Sequence, residues 1–128
     1  MSNLKIKVLS RIMESGLVAV VRADSSDQAS RIAEACAAGG AAAVEITFTV
    51  PGTAGVISDL ARQYRNDEIL IGAGTVLDSE TARIAILSGA QFVVSPALNP
   101  EAARLRRNRP SRSGSPRDAG CSCHALRW

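Results

Sequence analysis

The chain reads as an α/β fold of the (β/α)8 TIM-barrel kind, here about four βα units behind an opening helix. Three observations predict this. Strand-length apolar segments begin near residues 17, 42, 69 and 91, a spacing of 22 to 27 residues. That spacing leaves room for helical crossovers and therefore for parallel pairing. Each later segment also ends in a polar or glycine-rich turn, where a barrel gathers its working groups. Finally, Ala, Val and Ile carry the packing, and the aromatics are limited to Phe48, Tyr64, Phe92 and Trp128.

Taken in order, residues 2–14 predict a helix, with Leu4, Val8, Leu9 and Ile12 at roughly helical spacing and Gly16 ending it. Leu17–Val21 is a wholly apolar strand of the buried parallel type. Ser25 with Gln28 forms a capping box, and Ala29, Ile32, Ala33, Cys36 and Ala37 define one helix face. Cys36 on that face reads as a small buried hydrophobe, and Gly39-Gly40 stops the helix. Ala42–Thr47 is the second strand, and Pro51 suits a first helical turn. Val56, Ile57, Leu60, Ala61 and Tyr64 give the next apolar stripe. Ile69–Ile71 is the third strand. Asp78 caps a helix that runs to Ser88 and closes at Gly89. Phe92–Val94 is the fourth strand, and a helix from about Asn99 to Arg106 completes the fourth unit.

A single domain suits 128 residues. The net charge of +3 is unevenly spread. Residues 1–103 hold 8 basic and 11 acidic side chains, a balance of −3, whereas residues 104–128 hold 7 Arg against Asp118, a balance of +6. The expected organisation is therefore a barrel portion over 1–103 and a basic Arg/Ser/Pro-rich tail over 104–128. The tail lacks hydrophobic periodicity and reads as disordered. No segment approaches the ~20 apolar residues that span a bilayer, and no apolar run of signal-peptide length follows Lys5, Lys7 and Arg11. The cytoplasm is the expected compartment, with no membrane contact.

Chemistry should sit at the strand ends. Strand alternation puts Glu45 and Thr47 on one face and Val44, Ile46 and Phe48 on the other. A carboxylate between Val44 and Ile46 is costly to bury. Glu45 is thus either a general acid/base with a desolvation-raised pKa or a structural partner of an Arg. Arg22 shares the face of Val18 and Val20 and would reach the same mouth, to bind a substrate carboxylate or to neutralise Glu45. Gly72-Ala73-Gly74-Thr75 begins like a dinucleotide fingerprint, but Leu77 stands at the third glycine and the strand is the third, not the first. A close backbone approach to a small ligand, with the Thr75 hydroxyl as donor, fits better. Ser95-Pro96 is a further strand-end turn.

The order of these motifs is more specific than any one of them. Val-Val-Arg-Ala at 20–23, Gly-Gly-(x)4-Glu-Ile-Thr-Phe-Thr-Val-Pro at 39–51, Gly-Ala-Gly-Thr-Val at 72–76 and Val-Ser-Pro at 94–96 closely resemble one family. It is the 2-keto-3-deoxy-6-phosphogluconate (KDPG) aldolases, also called 4-hydroxy-2-oxoglutarate (KHG) aldolases, of the Entner–Doudoroff pathway. The likeness covers about residues 4 to 103. It implies a class I aldolase without cofactor or metal, usually a homotrimer, in which a lysine forms a Schiff base with a keto acid. Cleavage releases pyruvate and glyceraldehyde 3-phosphate or glyoxylate. By the same resemblance Glu45 is the proton shuttle, Thr75 holds the pyruvyl carboxylate or its neighbouring oxygen, Arg22 contacts a substrate anion and Pro96 lines the pocket. Thr49 stands where some members have Arg, which leaves specificity open.

The departure lies in the nucleophile. The family's imine-forming lysine belongs to a later strand, and the chain's two lysines, Lys5 and Lys7, both fall in the opening helix. No Schiff-base lysine is therefore assigned, and the alternative function is an inactive half-barrel or interaction fragment. For the tail, an abrupt change of composition near 104 favours a shifted reading frame. A nucleic-acid tether fits less well, because no aromatic interleaves the Arg run before Trp128. Cys121-Ser122-Cys123-His124 makes a poor zinc site, with three close ligands and no fourth.

Overall fold

A computed structural model describes residues 4–65 and 68–107. The element order is α1 (Leu4–Ser15), β1 (Ala19–Val21), α2 (Ser26–Ala38), β2 (Ala43–Thr47), α3 (Thr53–Gln63), β3 (Leu70–Gly74), α4 (Ser79–Ser88), β4 (Phe92–Val93) and α5 (Pro100–Arg107). All three strand pairings are parallel, and the sheet order is β1-β2-β3-β4. That order decides the architecture. A doubly wound sheet reverses direction at a switch point, whereas a sheet whose spatial order follows the chain is the winding of a barrel.

Each face of the sheet has its own core. On one face, Val21, Val44, Ile46, Ile71, Ala73 and Val93 pack with Ala29 and Ala33 of α2, Val56, Ile57 and Leu60 of α3, and Ala82 and Ala85 of α4. Helices α2, α3, α4 and α5 neighbour one another in sequence order along this side. On the opposite, barrel-inward face, Val8 and Ile12 of α1 meet Ala43, Leu70 and Phe92, with Val18 and Val94 alongside. Ala43, Leu70 and Phe92 are the first residues of their strands. Helix α1 therefore closes the N-terminal end of the inward face, and among the described residues no helix covers the C-terminal end.

Local chemistry sets the boundaries. Ser25 caps α2 by accepting from the Gln28 amide at 3.2 Å. Gln28 reciprocates one residue earlier than the usual box, accepting from the Asp24 amide at 3.0 Å. Asp78 caps α4 by accepting from the Thr81 amide at 2.6 Å, and Gly89 in the left-handed region ends it.

Four expectations need correcting. Strand β1 is shorter than Leu17–Val21 and is not wholly buried: Leu17 is 57% and Val20 54% exposed. Both belong to a strand with a neighbour on one side only among the described residues. Pro51 precedes the helix rather than opening it, because Gly52 takes φ 70° and α3 begins at Thr53. Strand β3 runs through Gly72-Ala73-Gly74 instead of stopping at Ile71, since these residues pair with Glu45, Ile46 and Thr47. Cys36 is half-buried against the helix-side core, not fully enclosed. Helix α5 runs from Pro100 to Arg107, within a residue of the expected Asn99 to Arg106. The remainder of the basic tail, with Cys121, Cys123 and His124, lies outside the described residues. Among the described residues no helix is long and apolar enough to cross a membrane.

Candidate active site

Parallel strands deliver their C-terminal ends to one rim, and the expected residues gather there. Arg22 directly follows β1, Glu45 lies within β2, Thr75 directly follows β3 and Pro96 lies in the loop after β4. Register sets Glu45 level with Val20 and Gly72, two residues below the rim. Its side chain nevertheless climbs toward the opening. A Cβ built on Gly74 would fall on the Glu45 carboxylate, so that carboxylate lies over Gly74, one residue before Thr75. At Gly72 a Cβ would fall on the Phe92 ring. The two glycines were expected to admit a ligand; they admit Phe92 and Glu45, two of the protein's own side chains.

Glu45 is 5% exposed. Desolvation is the larger influence and raises its pKa above the ordinary 4.5, while the positive charge of Arg22 pulls it back in part. Among the described residues no ion pair joins the two side chains, and Arg22 is exposed. The structural reading, an Arg salt bridge that neutralises Glu45, therefore lacks its bridge. What remains is a near-enclosed carboxyl group at an open rim, biased toward the protonated form. Such a group is suited to giving and taking a proton.

Thr75 has φ 55°, the one non-glycine residue in the left-handed region among those described. That conformation is an outlier for a β-branched side chain and costs of order 1–3 kcal/mol. Neighbouring bonds hold it: Val76 donates to the Val94 carbonyl at 3.2 Å and Val94 to the Ala73 carbonyl at 2.8 Å. Pro96 is exposed, in a turn where the Ser95 hydroxyl donates to the Ala97 carbonyl at 2.6 Å. Both lysines lie on α1, the helix that closes the other end of the sheet.

Two hydroxyls at the site carried no expectation of a role. Thr47 is buried and donates to the Val21 carbonyl at 3.3 Å, tying β2 to β1. Thr53, also buried, shares its proton between the carbonyls of Thr47 (2.9 Å) and Val50 (2.6 Å). Strand alternation already placed Thr47 beside Glu45. For Thr53 the sequence carried no comparable signal. A separate cleft of about 450 Å³ opens at the other end of the sheet, lined by Arg11, Glu34, Tyr64, Glu68 and Ile69 among others.

A parallel sheet wound in barrel order, with a desolvated carboxyl and a strained threonine at its C-terminal rim, has the architecture of a (β/α)-barrel, in which working groups sit at that rim. The particular lineage follows from comparison. Residues 8–110 match the family model described as KDPG and KHG aldolase, and the chain belongs to that family. The 2-dehydro-3-deoxy-phosphogluconate aldolase of Haemophilus influenzae is 38% identical over 105 residues, 82% of this chain and 49% of the relative. The KHG/KDPG aldolase of Escherichia coli K12 is 31% identical over 98 residues, 77% and 45% respectively. Among solved structures, the KDPG aldolase of Legionella pneumophila superposes with TM-score 0.69 at 26% identity, over 79% of this chain and 48% of that one. Its crystals captured pyruvate at low pH as a covalent carbinolamine intermediate. The chain thus spans about half the length of the curated relatives it matches.

Proposed function

We propose that this chain carries the Glu45–Thr75–Arg22 portion of a class I aldolase site acting on 2-keto-3-deoxy-6-phosphogluconate, on 4-hydroxy-2-oxoglutarate, or on both. The observation that supports it most is the enclosed Glu45 carboxyl laid over Gly74 next to Thr75. Glu45 moves protons at the carbinolamine and carbon–carbon cleavage steps, for which a raised pKa suits it. Thr75 donates its hydroxyl to the pyruvyl carboxylate, Arg22 attracts the substrate anion, and Pro96 borders the opening. The electron sink is an imine on a lysine that neither Lys5 nor Lys7 supplies from α1. The family's homotrimer and a cytoplasmic setting complete the reading.

A second reading is favoured by the position of α1: the 128-residue chain by itself binds keto acid without turning it over. Borohydride trapping with labelled pyruvate, beside a binding titration, tests the assignment of the nucleophile and of the site. The expected result is reversible pyruvate binding, seen as NMR shifts at Thr75 and Gly74, with no covalent adduct. An adduct at Lys5 or Lys7 would overturn the assignment of the nucleophile. Unchanged binding in a Thr75→Val variant would overturn the assignment of the site.

A further inference from the structure

Glu45, Gly72 and Phe92 stand level across β2, β3 and β4, and level residues of neighbouring strands share a face of the sheet. Phe92 is fully buried, with its ring spread over Gly72 in the space a Cβ would take. With strands about 4.8 Å apart, the far edge of that ring comes within about 5 Å of the Glu45 stem. The backbone that carries the ring is fastened to β3 on both sides. The Gln91 amide donates to the Ile71 carbonyl at 2.7 Å, and the Val94 amide donates to the Ala73 carbonyl at 2.8 Å. The Gln91 side chain adds a third bond, accepting from the Ile71 amide at 3.0 Å. Below this level, Ala43 and Leu70 pack with Val8 and Ile12 of α1. The space over Gly72 and the space beneath are thus filled, and the Glu45 carboxylate lies upward, over Gly74.

We infer that Phe92 is a positioning residue for Glu45: by covering Gly72 it closes the level path across β3 and holds the carboxyl up toward the rim. The ring also keeps water from the stem side of the carboxyl, in line with desolvation as the larger influence on Glu45. The charge of Arg22, the one charged group acting on it among the described residues, works in the opposite sense. This deepens the aldolase reading and rests on it for the protons that Glu45 moves. The placement of the carboxyl stands on the sheet alone.

The test is titration of the Glu45 carboxyl in the full chain, followed by carboxyl-carbon NMR, with pyruvate binding measured beside it. In the unmodified chain the Phe92 ring protons should show NOEs to the Glu45 stem, and the Glu45 γ protons should show NOEs to the Gly74 α protons. Phe92→Leu withdraws the far half of the ring, so the Glu45–Gly74 NOEs should be lost and the titration midpoint should fall toward the ordinary 4.5. Phe92→Met, long and flexible enough to cover Gly72, should keep both. Val93→Ala opens a cavity on the same strand but on the helix-side face, and should leave the midpoint unmoved. Missing ring NOEs in the unmodified chain, a readout that needs no variant to fold, would overturn the inference. So would an unmoved midpoint in Phe92→Leu, or an equal fall in Val93→Ala. Failure of pyruvate to bind would bring down the aldolase reading, while a midpoint that follows Phe92 still upholds the positioning.

Discussion

The contact between Glu45 and Gly74 is where fold and chemistry depend on each other most directly. A methyl group at Gly74 would occupy the space of the carboxylate, so Gly74→Ala should destabilise the chain by about 1–3 kcal/mol, the usual cost of overpacking. The same change in a Glu45→Ala background should cost close to nothing, because the obstructing group is gone. A double-mutant cycle in urea would measure this, and simple additivity would show that the two do not touch. The carboxyl also makes stability depend on pH. Its folded pKa is raised by desolvation above 4.5, so the native state binds its proton more tightly than the unfolded chain does. The Glu45 contribution to stability is then greatest below about 4.5 and declines as pH rises through the folded value. Glu45→Gln should abolish that decline and stabilise the protein at neutral pH. A decline above pH 4.5 that persists unchanged in the variant would contradict the desolvated carboxyl.

Element boundaries were largely legible in the sequence, because they are set by near neighbours. Ser25 and Asp78 cap α2 and α4, and Gly39 and Gly89 end them, as local spacing predicted. Ser25→Ala should therefore cost about 1 kcal/mol of stability, measured as a shift in the denaturation midpoint. Asp78 has a lowered pKa, caused first by the Thr81 backbone hydrogen bond. Its contribution is present above pH 3.8 and is lost as pH falls through the folded value. Where the reading went wrong, the cause was a partner far along the chain. Gly72-Ala73-Gly74 looks like a turn, yet it is strand, because its glycines make room for Phe92 and Glu45 from the two neighbouring strands. Pro51 looks like a first helical residue, yet Gly52 delays the helix so that Thr53 can bind the carbonyls of Thr47 and Val50. Strand alternation brought Glu45 to the correct face. It could not show that the carboxyl would have no ion pair among the described residues, which depends on where Arg22 comes to rest.

At the scale of the whole molecule, the sheet has a protected centre and two unpaired margins among the described residues. Strands β2 and β3 are hydrogen-bonded on both sides and buried at all five positions each. Strand β1 has one neighbour and a half-exposed Val20, and β4 pairs through only Gly72↔Phe92 and Ala73↔Val93. Edge strands invite pairing with other chains, and short edges restrict that risk. Both margins here are short, three and two residues. Local opening requires little surface exposure where few bonds and little burial hold a segment, whereas opening β2 or β3 dismantles both cores at once. Native-state hydrogen exchange should therefore find the slowest amides in Val44–Thr47 and Ile71–Gly74. Amides of Val20 and Val21 should exchange faster, through local fluctuation that is insensitive to mild denaturant. The rim groups straddle this divide, with Glu45 on a slow strand and Arg22 just beyond a fast one. A ligand that bridges them should therefore slow exchange in β1 more than in β2. Uniform protection across all four strands would mean that the margins are covered in solution by a surface that these residues alone do not supply.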